Sequence, residues 1–337
     1  MTFLAVGIDI SQHTLDVALC PAKGQAIVLG SFPNNPSGFE KLNNVLSKSL
    51  RRHHAEGIHV VMEPTGGYEQ PLALFAYRRD WVISLPNPRQ VRDWARGSGI
   101  RAKTDRVDAC VLAQYAAAQK PPPWKPLPEE VAQLEALLER REDLTAMLRQ
   151  ERNRRHALKA RGTYQGVVAQ SLEDSISRLE QEVAAIDQAI REHLDAHPHL
   201  KECAKQLQTV PGIGKRNGLF IMVLLYRWST LTNNQGSSKG LTAYVGLDPL
   251  PYESGHSVRK RRCISRQGNR RVRHKLFMGA LGGVRGHNPL RDFYQRLVGR
   301  GKAKKLALVA AARKILVWAW AVFRDNTTFN PQQATAR

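Results

Sequence analysis

Four carboxylates, Asp9, Glu63, Asp105 and Asp108, stand in settings that suit metal chemistry on a phosphodiester. Asp9 is the one acid in the apolar run Phe3-Leu4-Ala5-Val6-Gly7-Ile8-Asp9-Ile10. Glu63 closes a second run, Ile58-His59-Val60-Val61-Met62, ahead of the turn Pro64-Thr65-Gly66-Gly67. Asp105 and Asp108 are three apart in Thr104-Asp105-Arg106-Val107-Asp108-Ala109, so a helix places them on one face. Like charges brought together need a cation. Hard divalent cations take oxygen ligands, and two Mg²⁺ ions can clamp the attacking and leaving oxygens of a phosphoryl transfer. The four acids are therefore the expected ligands of Mg²⁺, with Mn²⁺ the alternative.

The elements expected to position them begin with a hairpin, Val6–Ile10 and Leu15–Leu19 joined by Ser11-Gln12-His13-Thr14. A third strand over 24–32, a helix over Ser37–Leu50 capped by Ser37, a strand over Ile58–Glu63, a helix over Gln70–Tyr77 and a strand over Trp81–Leu85 follow. That order reads as a mixed sheet with helices packed on it. Asp9 and Glu63 would meet at one sheet face, with the Asp105–Asp108 helix beside them. Pro121-Pro122-Pro123-Trp124-Lys125-Pro126 cannot continue a helix and marks a domain boundary.

Beyond that boundary the chain reads as helical. Leu172, Ile176, Leu179, Val183, Ile186, Ile190 and Leu194 form a coiled-coil seam, and Leu134, Leu138, Leu144 and Leu148 form a stripe on the stretch before it. An intramolecular antiparallel hairpin and a dimerisation arm are equally compatible with this pattern. Thr209-Val210-Pro211-Gly212-Ile213-Gly214-Lys215 resembles the hairpin of a helix-hairpin-helix module, with Gly212, Gly214 and Lys215 at a DNA backbone. Nine cations then fall between 259 and 275 with no acid among them: Arg259, Lys260, Arg261, Arg262, Arg266, Arg270, Arg271, Arg273 and Lys275.

The 337 residues carry 51 Lys and Arg against 29 Asp and Glu, a formal net charge of +22, which points to nucleic acid as partner. The four scattered cysteines form no C-x-x-C pair and suit a reducing cytoplasm rather than a disulfide framework or zinc ribbon. No leader is read at the start, and no apolar run is expected to reach the ~20 residues of a membrane span. The runs near Leu219–Tyr226 and Ile315–Phe323, including Trp318, Trp320 and Phe323, are expected in cores. His13, His53, His54 and His59 show no ligand spacing and read as surface or packing residues.

A set of ordered motifs resembles the DEDD transposases of the insertion-sequence one-ten family, particularly its eleven-eleven branch, and the related Piv-type DNA invertases. The matching stretches are Gly7-Ile8-Asp9-Ile10-Ser11, Glu63-Pro64-Thr65-Gly66-Gly67-Tyr68, Asn87-Pro88-Arg89-Gln90-Val91 and Lys103 through Ala109. Val210-Pro211-Gly212-Ile213-Gly214, Tyr244-Val245-Gly246-Leu247, Tyr252-Glu253-Ser254-Gly255 and Ser265-Arg266-Gln267-Gly268-Asn269 complete the set. The resemblance implies a RuvC-like, RNase H-type domain, here over 1–125, and a mainly helical transposase domain, here over 201–330, with the coiled-coil arm read from the heptads over 126–200 between them. It further implies Mg²⁺ on the four acids and a serine nucleophile, which the motif match assigns to Ser254. On the residues alone, Ser257 and Ser265 are equal candidates.

A structured noncoding bridge RNA that pairs with donor and target double-stranded DNA, and a dimer or a tetramer of two dimers, are implied by the same resemblance. The expected setting is the cytoplasm, on the bacterial nucleoid, with no membrane partner. Two rivals remain open at this stage. A metal-dependent nuclease of the junction-resolvase type would use the acids and activated water without Ser254. A nucleic-acid-binding protein with vestigial acids would use neither.

Overall fold

A computed structural model describes residues 2–21, 25–64, 66–100, 104–250, 253–254, 258–259 and 263–332, with the main chain alone described at 253–254 and 258–259. The chain divides into two compact units, Met1–Pro126 with Thr230–Asn234, and Leu127–Ser229 with Gln235–Arg337.

The first unit is a five-stranded mixed sheet with helices on both faces. Strands β1 (Phe3–Ile10), β2 (Thr14–Cys20), β3 (Ile27–Pro33), β4 (Gly57–Met62) and β5 (Val82–Ser84) lie in the order β3-β2-β1-β4-β5. The pairs β1–β2 and β2–β3 are antiparallel; β1–β4 and β4–β5 are parallel. Alternation along β1 divides its side chains between two layers. Leu4, Val6, Ile8 and Ile10 pack with Phe39, Leu42 and Leu46 of α1 (Pro36–Arg52) and Leu72, Ala73 and Ala76 of α2 (Gln70–Tyr77). Ala5 of β1, Ala18 of β2 and Val61 of β4 face the other way. They pack with Val91 and Ala95 of α3 (Pro88–Gly97) and with Ala109, Leu112 and Ala113 of α4 (Asp105–Gln119). Both faces are covered, which is why β1 is almost continuously apolar.

The cap of α1 differs from expectation. Asn35, not Ser37, is the N-cap, its side chain accepting from the Gly38 N–H at 2.9 Å, because Pro36 is preorganised for the first helical position. The proline segment docks along β5: the Ser84 hydroxyl donates to the Pro121 carbonyl at 2.9 Å, and the Trp124 N–H bonds the Ile83 carbonyl. His59 is buried with Nε2 2.9 Å from the same hydroxyl, and burial holds its pKa below the ordinary value.

In the second unit, α5 (Glu129–Ala160) and α6 (Gly166–Ala196) form an antiparallel helical hairpin within the chain. Leu134, Leu138, Leu144, Leu148, Leu172, Ile176 and Ile190 are buried in it, while Leu179, Val183, Ile186 and Leu194 of the expected seam stay half-exposed. Ion pairs Arg140–Glu182 (3.2 Å), Arg152–Glu180 (2.6 Å), Arg155–Glu173 (3.0 Å) and Arg141–Asp187 cross between its helices.

Among the described residues six further helices follow: α7 (Pro198–Gln208), α8 (Lys215–Leu231), α9 (Ser238–Val245), α10 (Arg270–Gly283), α11 (Pro289–Gly299) and α12 (Lys304–Asp325). Contrary to the expectation from the sequence, the 22 residues of α12 are long and apolar enough to span a membrane by length and composition. They instead bury Ala311, Ile315, Leu316, Trp318 and Trp320 against neighbouring helices, among which α10 and α11 are the most extensive.

Candidate active site and nucleic-acid interface

The acids of the first unit gather at the carboxyl ends of the parallel strands β1 and β4. The β1–β4 register pairs Ile8 with Met62, so Asp9 and Glu63 occupy the next level side by side, Glu63 just beyond the strand. The pleat turns Asp9 to the same face as Ala5 and Gly7, the face under α4. Gly7 explains how closely α4 approaches. A Cβ there would lie 2.1 Å from the Ala113 amide nitrogen and 2.2 Å from the Ala109 carbonyl oxygen, so only glycine allows the helix backbone to rest on the strand. Asp105 and Asp108 lie in the first turn of α4, whose positive end favours carboxylates, and Thr104 caps it by accepting from the Val107 N–H at 3.3 Å.

The electrostatics register this convergence. Burial, then the charges of Asp108, Asp105 and Glu63, push the Asp9 carboxyl up from 3.8 to about 6. The donor set is all oxygen and suits a hard divalent cation in its chemistry. Among the described residues, no three His, Cys, Asp or Glu side chains are drawn close enough together to hold a metal ion as they stand.

A fifth carboxylate escaped the sequence reading. Asp16 lies directly opposite Asp9 in the β1–β2 register, and its side chain accepts a hydrogen bond from Ser31. The hairpin turn at 11–14 was the available signal, because it sets that register. Two loops at this end are tied together by Asn34, which donates to the carbonyls of Ser11 (2.9 Å) and Tyr68 (3.2 Å).

Among the described residues of the second unit, Ser254 lies in one of two short two-stranded antiparallel sheets. Strand β6 (Pro249–Leu250) pairs with β9 (Cys263–Ile264), and β7 (Glu253–Ser254) pairs with β8 (Val258–Arg259), setting Ser254 opposite Val258. The β6–β9 pair is rooted where two of the motifs meet. A Cβ on Gly246 would lie 2.7 Å from the Gln267 amide nitrogen, and one on Gly268 would lie 2.1 Å from the Tyr244 carbonyl oxygen. The Arg273 guanidinium donates to the carbonyls of Val245 (3.0 Å) and Gly268 across this root. Ser265 is buried with its hydroxyl donated to the Asp248 carboxylate, which occupies one of the three serines equal on sequence grounds. Ser257 lies outside the described residues, and at Ser254 only the main chain is described.

The nine cations separate by role. Lys260, Arg261 and Arg262 lie outside the described residues, as does the side chain of Arg259. Arg266 and Arg270 are exposed; their charges, after burial, hold the Arg273 pKa below its ordinary value. Arg271 is exposed, and its charge counters the burial that raises the Glu139 pKa. Lys275 is paired with Glu142 of α5 and sits 4.7 Å from the centre of the Phe220 ring. An acid distant in sequence thus reaches a run that contains none.

Gly212 likewise has a packing task. Its φ is +91°, and an added Cβ would lie 2.7 Å from Ile315 and 2.8 Å from the Gly279 carbonyl oxygen. Gly214 and Lys215, at the start of α8, are exposed, and a Cβ on Gly214 would meet nothing within 4 Å.

Residues 6–160 match the profile of a family described as a transposase, the DEDD transposases of the IS110 group. Residues 204–295 match a profile described as the transposase IS116/IS110/IS902 family. The pilin gene-inverting proteins of Moraxella lacunata and Moraxella bovis are each 32% identical to this chain over 326 residues, 96% of this chain and 97% of theirs. The insertion element IS110 uncharacterized 43.6 kDa protein of Streptomyces coelicolor is 27% identical over 163 residues, 48% of this chain and 38% of that protein. The four acids fall within the first matched segment, and Ser254 falls within the second.

Proposed function

The chain belongs to the IS110 transposase family and is an enzyme acting on DNA, and from that premise we propose that it is a site-specific recombinase working through a covalent phosphoserine at Ser254. A structured noncoding bridge RNA would select donor and target duplexes, and a dimer or a tetramer of two dimers would hold them together. Residues 1–125 serve as a RuvC-like catalytic domain, 126–200 as a coiled-coil arm and 201–330 as the transposase domain that supplies the serine. The observation that most supports the metal-assisted half of this reading is the β1–β4 register, which sets Asp9 beside Glu63 and near the α4 turn carrying Asp105 and Asp108, so that burial and those three charges push the Asp9 carboxyl up to about 6. Such perturbation is characteristic of sites built to handle charge.

The donor set of Asp9, Glu63, Asp105 and Asp108 would hold Mg²⁺, or Mn²⁺ in its place. When bound, the cation supplies Lewis-acid stabilisation of the scissile phosphate and lowers the pKa of a coordinated hydroxyl. The chain's own groups perform the transfer. The Ser254 Oγ attacks phosphorus, an Oγ–P bond forms and one P–O bond to the DNA sugar breaks. The serine proton finishes on the released hydroxyl. Attack by a hydroxyl of the exchanged strand reverses the step, so the bond energy is kept and no nucleotide triphosphate is consumed. Exposed Arg266 and Arg270, with Arg259 to Arg262, hold phosphates near the β7–β8 ribbon, where charge-assisted hydrogen bonds are strong. Gly214 and Lys215 offer a further backbone contact at the start of α8.

A nuclease that activates water is the second reading, because the acid cluster is built entirely within the first unit and needs no serine. Reconstitution with the element's flanking RNA, donor DNA, target DNA and Mg²⁺ separates the two. Joined strands that require the RNA, the cation and Ser254 are expected. Cut strands that are never joined, formed equally by Ser254→Ala, would replace recombination with hydrolysis.

A further inference from the structure

Four cations of the helical hairpin are paired within the chain: Arg140, Arg141, Arg152 and Arg155 of α5 each face a carboxylate of α6. A different run of cations, outside every motif above, is not. Arg296, Arg300, Lys302, Lys304 and Lys305 fall within ten residues, and no acid occurs between Asp292 and Asp325. All five are exposed, and among the described residues none has a carboxylate partner. Unmatched cations gathered on one exposed surface raise the local potential and attract a polyanion.

The main chain beneath this run is firmly set. The Gly301 N–H bonds the Val298 carbonyl (2.9 Å), and the Lys302 N–H bonds the Leu297 carbonyl (3.1 Å), with Gly301 at φ +79°. This is the paired closure of a Schellman motif, which ends α11 and turns the chain directly into α12. Arg296 in the last turn of α11 and Arg300 at its C-cap lie four residues apart, with the Arg300 N–H bonded to the Arg296 carbonyl at 3.2 Å, so they fall on the same side of the helix end. Lys304 and Lys305 open α12, which is anchored by buried Ala307 and Ala311. The cations are therefore presented from a backbone already ordered, which lowers the entropic cost of binding.

The neighbouring rings narrow the class of ligand. Phe293 and Tyr294 are half-buried, and Phe293 has the cations of Arg296 and Lys314 at 5.7 and 5.8 Å from its centre. No aromatic side chain on α11 or in the turn into α12 is exposed as a stacking platform, which single-stranded nucleic acid would use. What remains is recognition of phosphates on a duplex without reading of bases.

Extending the reading of the chain as a DNA-acting enzyme, we propose that Arg296, Arg300, Lys302, Lys304 and Lys305 form a surface that binds the backbone of double-stranded DNA, on elements distinct from the Ser254 ribbon. Fluorescence anisotropy with a duplex of about 30 base pairs and arbitrary sequence, across a salt series, tests it. Combined Lys302→Ala, Lys304→Ala and Lys305→Ala should weaken binding roughly 100-fold near 0.1 M salt and flatten the log–log salt dependence by about 2 to 3. The melting temperature should stay at the parent value. Should the triple variant melt early, Lys302→Gln and Lys305→Gln taken singly should each flatten the slope by about 0.9.

Parent affinity and slope in these variants would overturn the proposal, as would a loss confined to duplex RNA. A parent protein with no affinity for duplex DNA would instead remove the DNA reading beneath it.

Discussion

The acid cluster and the serine ribbon are built on opposite principles. Asp9 and Glu63 are placed by sheet register, and Asp105 and Asp108 by a helix whose backbone rests on Gly7. Ser254 instead stands in β7, whose described pairing with β8 is two residues long, while Gly246, Gly268 and Arg273 lock the chain where the neighbouring β6–β9 pair begins and ends. Groups that must concentrate negative charge against its own repulsion require a rigid frame. The proposed nucleophile, which would reach a phosphate and later release it, is suited to presentation on a narrow element.

The largest effect should come from removing the proposed reacting groups of either region. Asp9→Asn and Ser254→Ala should each lower strand joining by about 1000-fold or more, read as joined product in a plasmid assay. Near-parent joining by either variant would take that region out of the chemistry.

Next in size, Gly7→Ala forces a methyl into the α4 backbone and should cost about 3 kcal/mol, read by denaturant unfolding, because no flexible side chain can yield. It should also lose stabilisation by Mg²⁺, since α4 carries two of the acids. Arg273→Gln removes charge-assisted bonds to two carbonyls and should cost roughly 2 kcal/mol. Strand joining should fall with it while stabilisation by Mg²⁺ persists. Loss of both together would erase the distinction between the two regions.

The smallest expected effect is the pH dependence of the acid cluster measured in chelator. Asp9 binds its proton more tightly when folded, since its folded pKa of about 6 exceeds the ordinary 3.8. Its contribution to stability is therefore complete below about 4 and is lost as the pH rises through about 6. Allowing for solvent screening of a half-buried group, the loss should be on the order of 1 kcal/mol. Asp9→Asn should flatten that slope and be the more stable protein at neutral pH despite its inactivity. An unchanged slope would mean that the acids do not repel as the geometry implies.

Much of the acid site was legible because it is governed by short periods. A lone acid in an apolar strand, a second at a strand end and two at helical spacing each announce a face, and the hairpin turn sets the register that also brings Asp16 opposite Asp9. The α1 cap was misplaced by two residues because Ser37 was weighed without the preference of Pro36 for the first helical turn. The heptad pattern on α6 could not specify its partner, and the structure shows it closing on α5 with only part of the expected seam buried. Lys275 and Gly212 were read from their neighbours in sequence. Their surroundings depend on Glu142 and Gly279, and no local pattern reports such long-range pairings. The root of the β6–β9 pair was visible only as two separate glycine motifs; that they interlock is a property of the fold.

The central claim is that Ser254 becomes covalently joined to DNA in a reaction that also needs the acids. The most direct test is to mix the protein with its flanking RNA, donor and target DNA and Mg²⁺, denature it, and map the DNA-linked peptide by mass spectrometry. An adduct on Ser254 that disappears in both Ser254→Ala and Asp9→Asn is the predicted result. Cleaved DNA with no linked peptide, at parent rates in Ser254→Ala, would contradict it.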